Sequence, residues 1–147
     1  MTQVIVVYKT NSIKTTDLDL WCVRHFLVLG AERLMQEGKN YEYVLIREFI
    51  MGWQWSAPGI VGDTNLTSVV GGKIEAERAL KDVFTAAKEI LKTMGSEIGL
   101  SYLRENEINT AVGAFDKAPD TKAFIEIIDE LRNLVVYAAP DGPPIDL

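Results

Sequence analysis

The segment "KIEAERALKDVFTAAKEILKTMG" (73–95) restricts the fold more than any other stretch of this chain. Ala76, Leu80, Val83, Phe84, Ala87, Ile90, Leu91 and Met94 recur at helical spacing and form one unbroken apolar stripe. Glu77 and Lys81 stand four apart on the wet side, where they pair weakly. A helix with so long an apolar stripe must bury it against other elements along its whole length. The remaining sequence has to provide that second layer.

Most of what it provides is helical. Thr16 is the expected N-cap of a helix from Asp17 to about Glu37, and Asp17 and Asp19 lie in the first turn, where the helix dipole favours negative charge. Gly38 is its stop signal. Leu18, Trp21, Cys22, Phe26 and Leu29 follow the periodicity, while the centre, "FLVLGA", is apolar on every side and calls for neighbours all round. In "YEYVLIREFIMGWQW" (41–55) the aromatic and β-branched residues suit a strand, but the length and the lack of clean alternation suit a buried helix. Helix is the reading adopted.

Gly95 then ends the amphipathic helix and Ser96 is an N-cap. A further helix is expected from Glu97, carrying Leu100, Leu103, Ile108, Ala111, Val112 and Phe115 until Pro119 breaks it. "DTKAFIEIIDELRNLVVYAA" gives the last helix, with Phe124, Ile127, Ile128, Leu131, Leu134 and Val135 facing inward. At the N-terminus "VIVVY" (4–8) reads as a short strand or extended arm, and "KTNSIKTTD" as turn residues and caps. The tail "APDGPPIDL" (139–147) holds three of the five prolines and must be extended.

The fold expected is therefore mostly α, a four- or five-helix bundle forming a single domain over 1–147. An extended segment (1–15) precedes the bundle (16–138), which carries a Trp/Gly-rich loop at 51–72, and the extended tail follows. The alternative is an α+β fold with strands at 4–8, 41–50 and 133–138. No internal repeat is present.

Composition narrows the function classes. With 147 residues, 48% of them apolar and 24% charged, the chain is an ordinary globular domain and too apolar for disorder. Its formal charge of −6 disfavours nucleic-acid binding by the free subunit, because phosphate contacts need a local excess of Lys and Arg; an assembly could still offer one. Cys22 is the only cysteine, so no internal disulfide forms. No basic, then apolar leader opens the sequence, and no apolar run approaches the roughly 20 residues of a membrane span. An intracellular protein is expected.

Each chemical motif has a plainer reading. Cys22 and His25, three apart, could face one ligand, yet nothing spaced like a metal motif accompanies them; a core cysteine beside a partly exposed histidine accounts for both. "SVVGGK" (68–73) fails the phosphate-loop pattern twice, with Thr67 and Ile74 where a glycine and a Ser or Thr are needed. Glu126, Asp129 and Glu130 lack a facing carboxylate pair, and Glu-x-x-His occurs nowhere, which excludes a di-iron bundle. No cofactor or metal is expected.

What remains is "MGWQWSAPGIVGDTNLTSVVGG" (51–72), with two of the three tryptophans and five of the eleven glycines. Its part from 56 to 72 holds one acid, Asp63, and no base, so it is costly to leave in water. Trp53, Trp55, Ile60, Val61 and Leu66, with Ile145 and Leu147 of the tail, are the expected contact residues for another subunit or protein. In short fragments only ("REFIMGW", "GAFD", "RNLVV"), the order of elements resembles coat proteins of rod-shaped plant viruses. That resemblance implies a helical subunit that polymerises around RNA, and no residue is carried over from it.

The function expected is a structural or interaction subunit that self-associates or binds a protein partner, of coat or filament type. The rival is a small enzyme or ligand-binding protein with an apolar pocket under 53–66, served by His25, Arg47, Glu48 and Asp63.

Overall fold

A computed structural model of the chain describes residues 3–9, 11–38, 41–52, 65–70, 73–106, 108 and 115–137. Two strands, β1 (Gln3–Tyr8) and β2 (Asn11–Thr16), lead into α1 (Asp17–Glu37) and α2 (Tyr41–Met51). The short α3 (Thr67–Val70) precedes α4 (Ile74–Lys92), the short α5 (Leu100–Glu105) and α6 (Thr121–Tyr137). The fold is mostly α: among the described residues, four long helices surround one core, with a hairpin at the N-terminal end.

The helix ends follow local chemistry. Thr16 is extended and its Oγ1 accepts from the Asp19 N–H at 3.2 Å, which starts α1. That helix stops at Gly38, but there φ is −156°, so the glycine is not needed for a left-handed turn. Gly95, at φ +85°, is the one that needs it. The apolar stripe of α4 is buried as its spacing requires, with Ile90 and Met94 packed at the margin. In α6, Phe124, Ile128, Leu131, Leu134 and Val135 are buried and Ile127 is packed against the core.

Central α4 packs against α1, α2 and α6. Arg24 of α1 donates to the carbonyls of Ile50 (3.1 Å) and Met51 (2.8 Å), satisfying the last turn of α2, and lies over the Trp21 ring at 4.6 Å. Arg47 of α2 reaches Glu32 at 2.9 Å, so α2 runs back along α1. Residues 41–51 are thus helical, and 121–137 are helical rather than partly strand.

Two elements differ from expectation. Residues 11–16 are not turn but the second strand of an antiparallel hairpin, registered Val4↔Thr15 and Val6↔Ile13. The turn lies at the start of the segment read as turn, where Lys9 adopts φ +55°, a position usually given to Gly or Asn; the chain pairs again from Asn11, earlier than that reading has it. Nor are residues 3–8 a free arm, because Val4, Val6 and Tyr8 are in the core. The helix expected from Glu97 instead begins at Leu100 and runs to Glu105; Ala111 and Val112 lie outside the described residues. The backbone of 96–98 is engaged elsewhere: the Ile98 N–H donates to the Pro119 carbonyl, and the Ser96 carbonyl accepts from the Thr121 N–H, both at 3.0 Å.

Candidate interaction surface

Helix α2 buries Ile46 and Ile50 and leaves large apolar side chains outside. Tyr41 is 69% exposed, Leu45 39% and Met51 41%. Tyr41 and Leu45 are one turn apart, with Glu48 on the same side, while Met51 flanks it near the helix end. Near the start of α4, Ile74 is 68% exposed. The α2 sequence continues directly into Trp53 and Trp55.

Of the residues expected to make contacts, Trp53, Trp55, Ile60, Val61, Ile145 and Leu147 lie outside the described residues, as does the whole tail 139–147. Leu66 is described, and it is 1% exposed. Its N–H donates to the Val7 carbonyl at 2.7 Å, and Asn65 bridges Val7 alongside β1. That anchors Leu66 in the chain's own core and removes it as a surface contact. Sequence reasoning placed it in an apolar loop and missed this pairing, which joins positions far apart in the chain. The exposed side of α2, conversely, was hidden by its apolar composition, which reads as burial.

Among the described polar groups named for a pocket, His25 makes its contact apart from Arg47 and Glu48. Arg47 donates to Glu32 and to Glu48 (3.3 Å), whereas His25 is engaged with α5 and Asp63 lies outside the described residues. The His25 Nε2 and the Tyr102 hydroxyl are 2.8 Å apart, and both rings pack on Phe26. Cys22 is fully buried, and burial, with the Asp19 carboxylate adding to it, pushes its thiol far up. A neutral buried thiol is a poor nucleophile and a poor metal ligand. Among the described residues no group of three or more His, Cys, Asp or Glu is placed to hold a metal ion. Asp129, one of the three carboxylates on α6, accepts from Lys88 of α4 at 2.8 Å. Near the hairpin, the Tyr8 hydroxyl donates to Glu77 (3.3 Å), and burial and that carboxylate push it up to about 12.

His25 gives a pH dependence. Burial first, then the Arg24 guanidinium, hold its imidazolium below the ordinary range, against a smaller opposing pull from Glu32. The unfolded chain, titrating near the usual value of about 6.5, therefore takes up the proton first on acidification. Stability from this group is complete above that value and falls as pH drops below it. Urea midpoints taken from about pH 7.5 down to 5 should fall less steeply in His25→Gln than in the parent. Equal slopes would remove His25 from the titration.

Two grooves flank α4. One, of about 240 Å³, lies toward α1, where Arg33 bridges Glu37 (3.3 Å) and Glu89 (3.2 Å). Nearby, the Tyr43 hydroxyl donates to Asp82 at 2.9 Å. The other, of about 290 Å³, lies between α4 and α6 over Phe84 and Ile128. No helix among the described residues is long and apolar enough to cross a membrane.

Comparison with protein-family models, curated protein sequences and solved structures found no match to the chain.

Proposed function

We propose that the protein is an interaction subunit that associates with copies of itself through the outer side of α2. The supporting observation is the exposure of Tyr41, Leu45 and Met51 on a helix that leads directly into a tryptophan pair. Large apolar side chains clustered in water are costly, and covering them is favourable by roughly 25 cal/mol per Å². In a chain of charge −6, copies repel one another over most of their surface, so a face dominated by apolar groups is where they can meet.

The test is size across a concentration series. Sedimentation velocity should show species larger than the monomer that grow with concentration. Leu45→Lys combined with Met51→Lys should return the protein to monomer with its melting temperature nearly unchanged, since both side chains are exposed. A parent protein that stays monomeric throughout the series would overturn the proposal.

A further inference from the structure

If copies associate through α2, that helix needs a receiving surface, and the groove between α4 and α6 has the matching chemistry. Phe84 and Ile128, both fully buried, lie beneath it, and the Lys88–Asp129 ion pair spans it at 2.8 Å. Lys92 of α4 and Arg132 of α6 stand one turn to either side of that pair, both exposed, and among the described residues neither is in an ion pair. Glu89, on the α4 wall, is paired with Arg33. The groove thus presents uncompensated positive charge on an acidic chain.

The outer side of α2 presents the opposite sign. The Glu48 side chain is 67% exposed and lies beside Tyr41 and Leu45, and it shares the single Arg47 guanidinium with Glu32, which leaves the two carboxylates with a net negative charge. The remaining nitrogens of Arg47 face inward to Glu32. A symmetric α2–α2 contact would bring two Glu48 carboxylates of two acidic copies toward one another, and like charges across an interface disfavour it. We propose instead that the α4–α6 groove of one copy receives the outer side of α2 from the next, with Glu48 set against Lys92 and Arg132. Such a contact is head-to-tail. Helices α2 and α6 both flank α4 but barely touch each other, so one chain can give its α2 and receive another at the same time. The contact therefore propagates, into a ring if the rotation closes and into a filament if it does not.

This inference rests on the proposed self-association, and two variants separate the two. Lys92→Glu with Arg132→Glu disables the groove; Leu45→Lys with Glu48→Lys disables the helix face. All four side chains are exposed, so both proteins should keep the parent's melting temperature; Lys92→Gln with Arg132→Gln is the milder groove variant. Each disabled protein alone should associate at least about tenfold more weakly than the parent in sedimentation velocity. Mixed one to one, the Leu45→Lys, Glu48→Lys protein and the Lys92→Gln, Arg132→Gln protein should form a dimer and nothing larger, because that mixture contains one intact face and one intact groove per pair and the neutral groove offers the lysine face no opposite charge. A groove variant that assembles like the parent, or a mixture that stays monomeric while the parent assembles, would sink the head-to-tail contact and leave self-association standing. A monomeric parent would remove both.

Discussion

Phe84→Ala is expected to lower the unfolding free energy by about 3–5 kcal/mol. Phe84 is fully buried, lies on the apolar stripe of α4 and sits where that helix meets α6. Truncation removes the transfer energy of an aromatic ring and leaves a cavity that two rigid helices cannot close. Domains of this kind are stable by only about 5–15 kcal/mol, so the variant should be studied in the cold and at low urea. Leu80, equally buried one turn earlier, should lose about 2–5 kcal/mol as alanine. Urea titration checks both, and a cost below about 0.5 kcal/mol for the pair would mean that the stripe faces water.

The second large effect concerns a glycine. On an exposed helix, Gly→Ala is stabilising by up to about 1 kcal/mol. At Gly30, in the middle of α1, the opposite sign is expected. A Cβ there would stand 2.9 Å from both the Ala87 nitrogen and the Val83 oxygen, and 3.3 Å from the Ala87 Cα. All three atoms are backbone of α4, so no side chain can rotate away; the helices must part. Gly30→Ala should be net destabilising by about 1–3 kcal/mol, and Gly30→Leu by more. Gly38→Ala is the control: its backbone is extended and the space around it is open, so the change should stay within about 0.5 kcal/mol. A Gly30→Ala protein as stable as its parent would show that the α1–α4 contact is looser than described.

Several elements were legible because short-range physics decides them. The N-cap at Thr16 needs only a hydroxyl three residues before an N–H, and α1 begins where that chemistry predicts. The inward residues of α4 and α6 follow from a 3.6-residue period, which is a property of the helix itself. The second strand of the hairpin was missed because "NSIKTT" has one apolar residue, Ile13, and no alternation to announce a strand; its pairing with β1 is what makes it one. For α5, Ser96 and Glu97 carry adequate helix-start chemistry, but the long-range pairing of 96–98 with 119–121 takes their backbone groups first. Tertiary context overrode local preference there.

The surfaces divide in the same way. Composition alone marked the stretch after α2 as too apolar for open water, yet it treated Leu66 as part of that stretch; the hydrogen bond to Val7 places Leu66 inside. Nothing linear could show that Lys92 and Arg132 share a groove, since they are forty residues apart and come together only because α6 packs on α4. Nor could it show that α2 leaves Tyr41, Leu45 and Met51 outside, because an apolar side chain is equally suited to a core and to an interface. Periodicity and caps, which act over one or two turns, are written into the sequence of this protein. Which apolar residues face water, and which charges meet, was decided by the packing of distant segments, because burial is a property of the assembled layers and not of any residue in them.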